Sequence, residues 1–142
     1  MTRINLVSPA QLTSIHLMAE YRELPRVFTR VKWRITRGQK LTDISERIQT
    51  NYTLNTGHET FFNDKLAWLY ERYIQLYNEL LKRGYRLDID KHCNIKREAY
   101  ALVGTEWWGN YSPTPEEIYL NMARLVRRSK LSKVLAEASA SN

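Results

Sequence analysis

A single cysteine, Cys93, rules out an internal disulfide in this chain of 142 residues, and although His92 adjoins it no second pair stands at metal-ligand spacing. No structural metal and no cofactor are expected. No run of about 18 apolar residues provides a membrane span, and the N-terminus lacks the basic-then-apolar order of a secretion signal. The expectation is therefore an intracellular, cytoplasmic protein with no membrane partner. Internal repeats, low-complexity tracts and strand-like alternation of useful length are also missing. What is left is one compact all-α domain over residues 1–142, since 43% hydrophobic content and a mean hydropathy of −0.54 are those of an ordinary globule.

Acidic residues are too few to balance the basic ones, which leaves a net charge of +7 and a pI near 9.6. The excess is uneven. Residues 1–40 hold eight basic groups against Glu20 and Glu23, a local balance of +6. Residues 115–133 add Arg124, Arg127, Arg128, Lys130 and Lys133, opposed by Glu116 and Glu117. Two basic segments this far apart suit a polyanion if the fold makes them one surface; otherwise they are a solvated basic exterior.

The helix signals divide the chain as three main helices with short helical segments and long loops. Ser8-Pro9-Ala10-Gln11 places an N-cap before a proline at the first helical position, which predicts a helix from Pro9 to about Glu23. Pro25 ends it by disfavouring α geometry at Leu24. On that helix His16, Glu20 and Glu23 share a face, while Leu17, Tyr21 and Leu24 face a core. Arg26–Arg37 forms a shorter helix stopped near Gly38, and Thr42 to about Gln49 another, capped by Thr42 or Asp43. Phe62, Leu66, Leu69, Tyr73, Leu76, Tyr77 and Leu80 recur at helical steps up to Gly84, which predicts a central spine. Tyr85 to about Lys96 reads as an extended loop. Thr114-Pro115-Glu116-Glu117 starts a last helix with Ile118, Met122, Leu125 and Val126 as its apolar positions, and residues 136–142 read as a frayed tail.

The stretch His16-Leu17-Met18-Ala19-Glu20-Tyr21-Arg22-Glu23-Leu24-Pro25-Arg26, with Met1-Thr2-Arg3 before it, combines a potentially free amine, a carboxylate and arginines suited to phosphate. A small residue after Met1 favours removal of the methionine, which would free the α-amine of Thr2. Its reference pKa of about 7.7–8.0 leaves an appreciable uncharged, nucleophilic fraction near neutrality. Glu23 in a final helical turn faces the negative end of the helix dipole, a siting that costs about 0.3–1 kcal/mol and that a purely structural helix would not choose. The plainer alternative for Glu23 is an ion pair with Arg22 or Arg26. Ile4 and Leu6 have the composition to anchor the chain end in the core.

Met1-Thr2-Arg3-Ile4-Asn5-Leu6 and His16 through Phe28 closely resemble the phage pyrimidine-dimer DNA glycosylases of the endonuclease V family. Gly57-His58, Thr60-Phe61-Phe62, Asp64-Lys65-Leu66, Leu81-Lys82-Arg83-Gly84, Gly109 with Tyr111 and Pro113, and Ala123-Arg124-Leu125 extend the likeness in the same order. The resemblance implies a monomeric helical enzyme, without an obligatory protein partner, that acts on double-stranded DNA containing damaged pyrimidines. It implies removal of one base of a cyclobutane pyrimidine dimer and a nick at the resulting abasic site, with Thr2 as nucleophile and Glu23 assisting. It further implies a kinked duplex and extrusion of the base opposite the lesion, with deformability aiding selection. Arg3, Arg22 and Arg26 resemble the family's phosphate-holding arginines, Arg124 and Arg128 its contacts on the last helix, and His16 a further DNA-side group. Paired guanidinium hydrogen bonds suit phosphate. His58 matches too, but its plainer role is capping or packing the central helix.

The chain also departs from this pattern. Ile15 stands where the family has a polar amide near DNA, and no aromatic residue follows Tyr119 where the family has an aromatic-rich tail tied to lesion recognition. Trp107-Trp108 offers stacking surface, although such a pair more often packs in a core. Two alternatives stay open: the same chemistry on other lesions or abasic sites, and a non-catalytic helical DNA-binding module.

Overall fold

A computed structural model describes the backbone of residues 3–140 and the side chains of residues 3–128. Among these residues no strand occurs, and the helices are α1 (Ser14–Glu23), α2 (Pro25–Thr36), α3 (Leu41–Ile44), α4 (His58–Phe61), α5 (Leu66–Lys82), α6 (Ile89–Tyr100) and α7 (Pro115–Ala140). The all-α expectation holds. No helix of the described residues is long and apolar enough to cross a membrane.

The spine is α5, whose Leu66, Leu69, Tyr73, Leu76 and Leu80 are wholly buried and pack chiefly against α1. Phe62 falls outside the spine. It follows α4, where Phe61, Phe62 and Tyr111 meet edge-on in an aromatic cluster. The segment 107–109 closes the start of α5, with the carbonyls of Trp107 and Gly109 accepting from Leu66 and Ala67 at 3.2 and 3.0 Å. Gly109 must be glycine, because a Cβ there would lie 2.2 Å from the Asp64 carbonyl oxygen.

Several boundaries differ from the sequence expectation, each for a tertiary reason. Pro9–Gln11 is only a 3₁₀ turn; Leu12 turns extended to enter the core, and α1 restarts after Thr13, whose hydroxyl accepts from the His16 N–H at 3.3 Å. Leu24 keeps α geometry before Pro25 (φ −54°, ψ −41°), so α1 runs directly into α2, and its complete burial outweighs the pre-proline preference. The Thr42–Gln49 helix shrinks to α3 and a 3₁₀ turn at Ser45–Arg47, with Asp43 accepting from the Lys40 N–H at 2.8 Å rather than acting as the cap residue. The loop expected at Tyr85–Lys96 is largely α6, capped by Asp88, which accepts from Lys91 N–H, and buried through His92 and Ala99. On α7 Ile118 and Leu125 pack on the core, but Met122 and Val126 are exposed and the fully buried position is Asn121. The α7 backbone continues through the expected tail to Ala140, and residues 141–142 lie outside the described residues.

Candidate active site

The extended segment Ile4-Asn5-Leu6-Val7 has no strand to pair with among the described residues and satisfies its backbone through side chains of distant elements. Ile4 N–H donates to His58 Nε2 (2.8 Å), and Ile4 C=O accepts from the Tyr52 hydroxyl (2.8 Å). Leu6 and Val7 N–H both donate to Asn121 Oδ1 (2.7 and 3.2 Å), and Arg72 donates to the Val7 carbonyl. Buried backbone groups need such partners. The segment is thereby pinned between α5, α7 and the loop before α4. Ile4 and Leu6 are buried, as their anchoring role requires.

Beside this segment runs a buried polar line. Glu20 is 1% exposed and receives Arg72 at 2.7 and 3.0 Å and Asn5 Nδ2 at 2.8 Å, while Asn121 Nδ2 donates to Asn5 Oδ1 at 2.8 Å. These partners hold the middle of α1 against the chain's beginning. Glu20 is a structural charge.

Glu23, one turn later, is different. It lines a cleft of about 60 Å³ together with Arg3, Asn5, His16, Glu20, Leu125 and Arg128. Its Oε2 is sealed from solvent and has no hydrogen-bond partner among the described residues, and the same is true of Arg3 Nε. The ion pairs among the described residues include none from Glu23 to Arg22 or Arg26, so the plainer alternative is not formed.

The charges around the cleft influence one another. The His16 imidazole is pushed below its usual range by burial, then by Arg3 and Arg124, which favours its neutral form. The Arg124 guanidinium is held down by burial and Arg3, while Tyr52 and Glu23 act in the opposite sense. The fold thus joins the two basic segments, because α7 brings Arg124 and Arg128 to Arg3 and α1. Among the described residues no group of three His, Cys, Asp or Glu side chains gathers as a metal site.

Of the residues singled out in the sequence, Arg3, His16, Glu23 and Arg128 share the cleft, and Arg124 acts on it electrostatically. Arg22 and Arg26 instead line a wider groove of about 540 Å³ with Arg30, Trp33 and Lys91. Thr2 lies outside the described residues. Trp33 was not singled out, yet it is 40% exposed with Arg37 and Arg30 4.3 and 5.7 Å from its ring centre. Its signal was an aromatic within a basic helical run. Trp107 is buried and Trp108 packs against the core, so neither supplies an open stacking surface. Ile15 is 82% exposed, immediately before His16.

The sequence model of one family, described as pyrimidine dimer DNA glycosylase, matches residues 1–92. That span contains the pinned segment, Glu23, the flanking arginines and His58. The chain belongs to the pyrimidine dimer DNA glycosylase family and is a DNA repair glycosylase whose substrate is DNA.

Proposed function

We propose that this protein is a bifunctional glycosylase and abasic-site lyase for cyclobutane pyrimidine dimers, using the amine of Thr2, freed by removal of Met1, as its nucleophile. The amine forms a bond to C1′ as the glycosidic bond breaks, and the electron pair leaves with the base, which takes up a proton. Ring opening at O4′ and loss of the amine proton give an imine. Removal of a C2′ proton then expels the 3′ phosphate with the C3′–O electron pair, and water releases the amine. Glu23 stabilises the positive charge developing on the sugar and carries protons in the later steps. Arg3, Arg22, Arg26, Arg124 and Arg128 hold phosphates on either side, and His16 contributes a neutral imidazole at the cleft.

The observation that carries this reading is the buried Glu23 Oε2, without a hydrogen-bond partner among the described residues, in a basic cleft with Arg3, the residue joined directly to Thr2. Borohydride is the test, because it reduces an imine to a permanent bond between protein and DNA. Wild-type protein should be trapped on both dimer-containing and abasic duplexes, with intact mass showing Met1 removed from the active fraction. Glu23→Gln should retain duplex binding and lose about 10²–10⁴-fold in base release, the range for a positioned acid or base. Absence of trapping on either duplex would refute the imine chemistry. Trapping on abasic DNA alone would favour a second reading, the same chemistry on other lesions, which the exposed Ile15 supports.

A further inference from the structure

His58 begins α4, far in sequence from Thr2 and Glu23. Its hydrogen bonds leave only one tautomer. Ile4 N–H can only donate, so Nε2 must be the bare nitrogen, and the Thr53 carbonyl 2.6 Å from Nδ1 can only accept, so Nδ1 carries the proton. The ring is further fixed edge-on to Tyr52 and Phe62, with centroids 5.3 and 5.7 Å away. Tyr52 completes the grip by donating its hydroxyl to the Ile4 carbonyl. Both backbone groups of Ile4 are therefore held by side chains, two residues from the proposed nucleophile. Two residues of chain span at most about 7 Å, so the position of Ile4 limits where the amine of residue 2 can reach.

Resting on the reading that Thr2 supplies the attacking amine, we propose that His58, with Tyr52, is a positioning residue that clamps the amino-terminal segment for attack, and that proton uptake at Nε2 releases the clamp while DNA binding persists. A proton on Nε2 sets one N–H against another and removes the acceptor that Ile4 requires. The native clamp holds the ring neutral: burial pushes His58 below its usual range, the Thr53 carbonyl opposes this, Arg124 of α7 lowers it further, and Glu20 of α1 and the adjacent Glu59 oppose. Misplacement of a reacting group by about 1 Å costs roughly 10²-fold in rate, so the clamp sets a chemical rate.

The test uses two variants and two measurements. His58→Phe keeps a planar ring and loses the acceptor. His58→Gln keeps an oxygen acceptor and does not titrate. Single-turnover borohydride trapping on a saturating abasic duplex should fall about 10²-fold in the Phe variant, while its Kd for a duplex carrying a non-reactive tetrahydrofuran abasic analogue stays within about two-fold of wild type. The Gln variant should restore trapping. Because amine titration is common to both, the ratio of wild-type to His58→Gln rates is the pH readout. It should be constant above roughly pH 6.5 and fall on acidification. Equal trapping by wild type and the Phe variant, or a ratio flat at every pH, overturns the clamp. If the Phe variant fails to fold, the pH ratio still decides. A wild type that is never trapped overturns the imine reading and the clamp with it, whereas trapping without dependence on His58 overturns the clamp alone.

Discussion

Glu20 and Glu23 lie one helical turn apart and have opposite duties. Glu20 is enclosed with Arg72, whose side chain is 4% exposed, and each is the other's main compensation for lost hydration. Removing one charge leaves its partner buried and unpaired, which costs about 3–5 kcal/mol. Arg72→Met should thus lower urea-unfolding stability by that amount, and the double variant Arg72→Met with Glu20→Leu should recover much of the loss. Glu23 forms no such ion pair among the described residues, although it shares its cleft with Arg3 and Arg128. The dipole penalty argued from the sequence is also reduced, because α2 starts two residues later and brings the positive end of its own dipole to the place where α1 ends. A sequence reading of the charge and its helix was possible; the second dipole depended on Leu24 keeping helical geometry.

At the scale of elements, the last helix is the clearest case of a local signal realised in full. Thr114 Oγ1 accepts from Glu117 N–H at 3.2 Å, and Glu117 Oε1 accepts from Thr114 N–H at 2.9 Å. The other Glu117 oxygen accepts from Tyr52 N–H at 2.6 Å, so this cap also fastens the loop that carries one half of the Ile4 clamp. Thr114→Ala should cost about 1 kcal/mol in chemical unfolding, the usual value of a helix cap. Glu117→Ala should cost more than Thr114→Ala, since it also orphans the buried Tyr52 N–H. Ser8 shows the reverse outcome. It precedes a proline with the same kind of signature but makes no side-chain cap bond, because burying Leu12 breaks the helix after one turn. Similarly, α6 carried a readable cap at Asp88, but its mixed polarity concealed the His92-Ile95-Ala99 face that packing selects.

At the scale of the molecule, three histidines on three elements are all shifted in the same direction. Burial is the largest cause for His16, His58 and His92, with Lys96 adding to it at His92. His92 further places Nδ1 3.0 Å from the Tyr73 hydroxyl and stacks on Tyr77. With folded values below the unfolded one, the unfolded chain takes up protons first as pH falls. Their contribution is present above roughly pH 6.5 and is lost as pH drops from there through the folded values. Urea midpoints should therefore decline between about pH 6.5 and 5, and His92→Gln should flatten part of that decline.

The sequence alone determined the helical class, the spine at Leu66–Leu80, the basic character of both ends and the chemical identity of the residues around Glu23. These are carried by periodicity, net charge and side-chain type, which a linear chain displays. Only the tertiary structure decided that α7 meets Arg3, that Glu20 is locked while Glu23 Oε2 finds no partner among the described residues, and that His58 grips Ile4. The hydrogen bonds behind those facts include partners 52, 54 and 116 positions apart, and partners at such separations are selected by burial of the whole core, with no trace in local propensity.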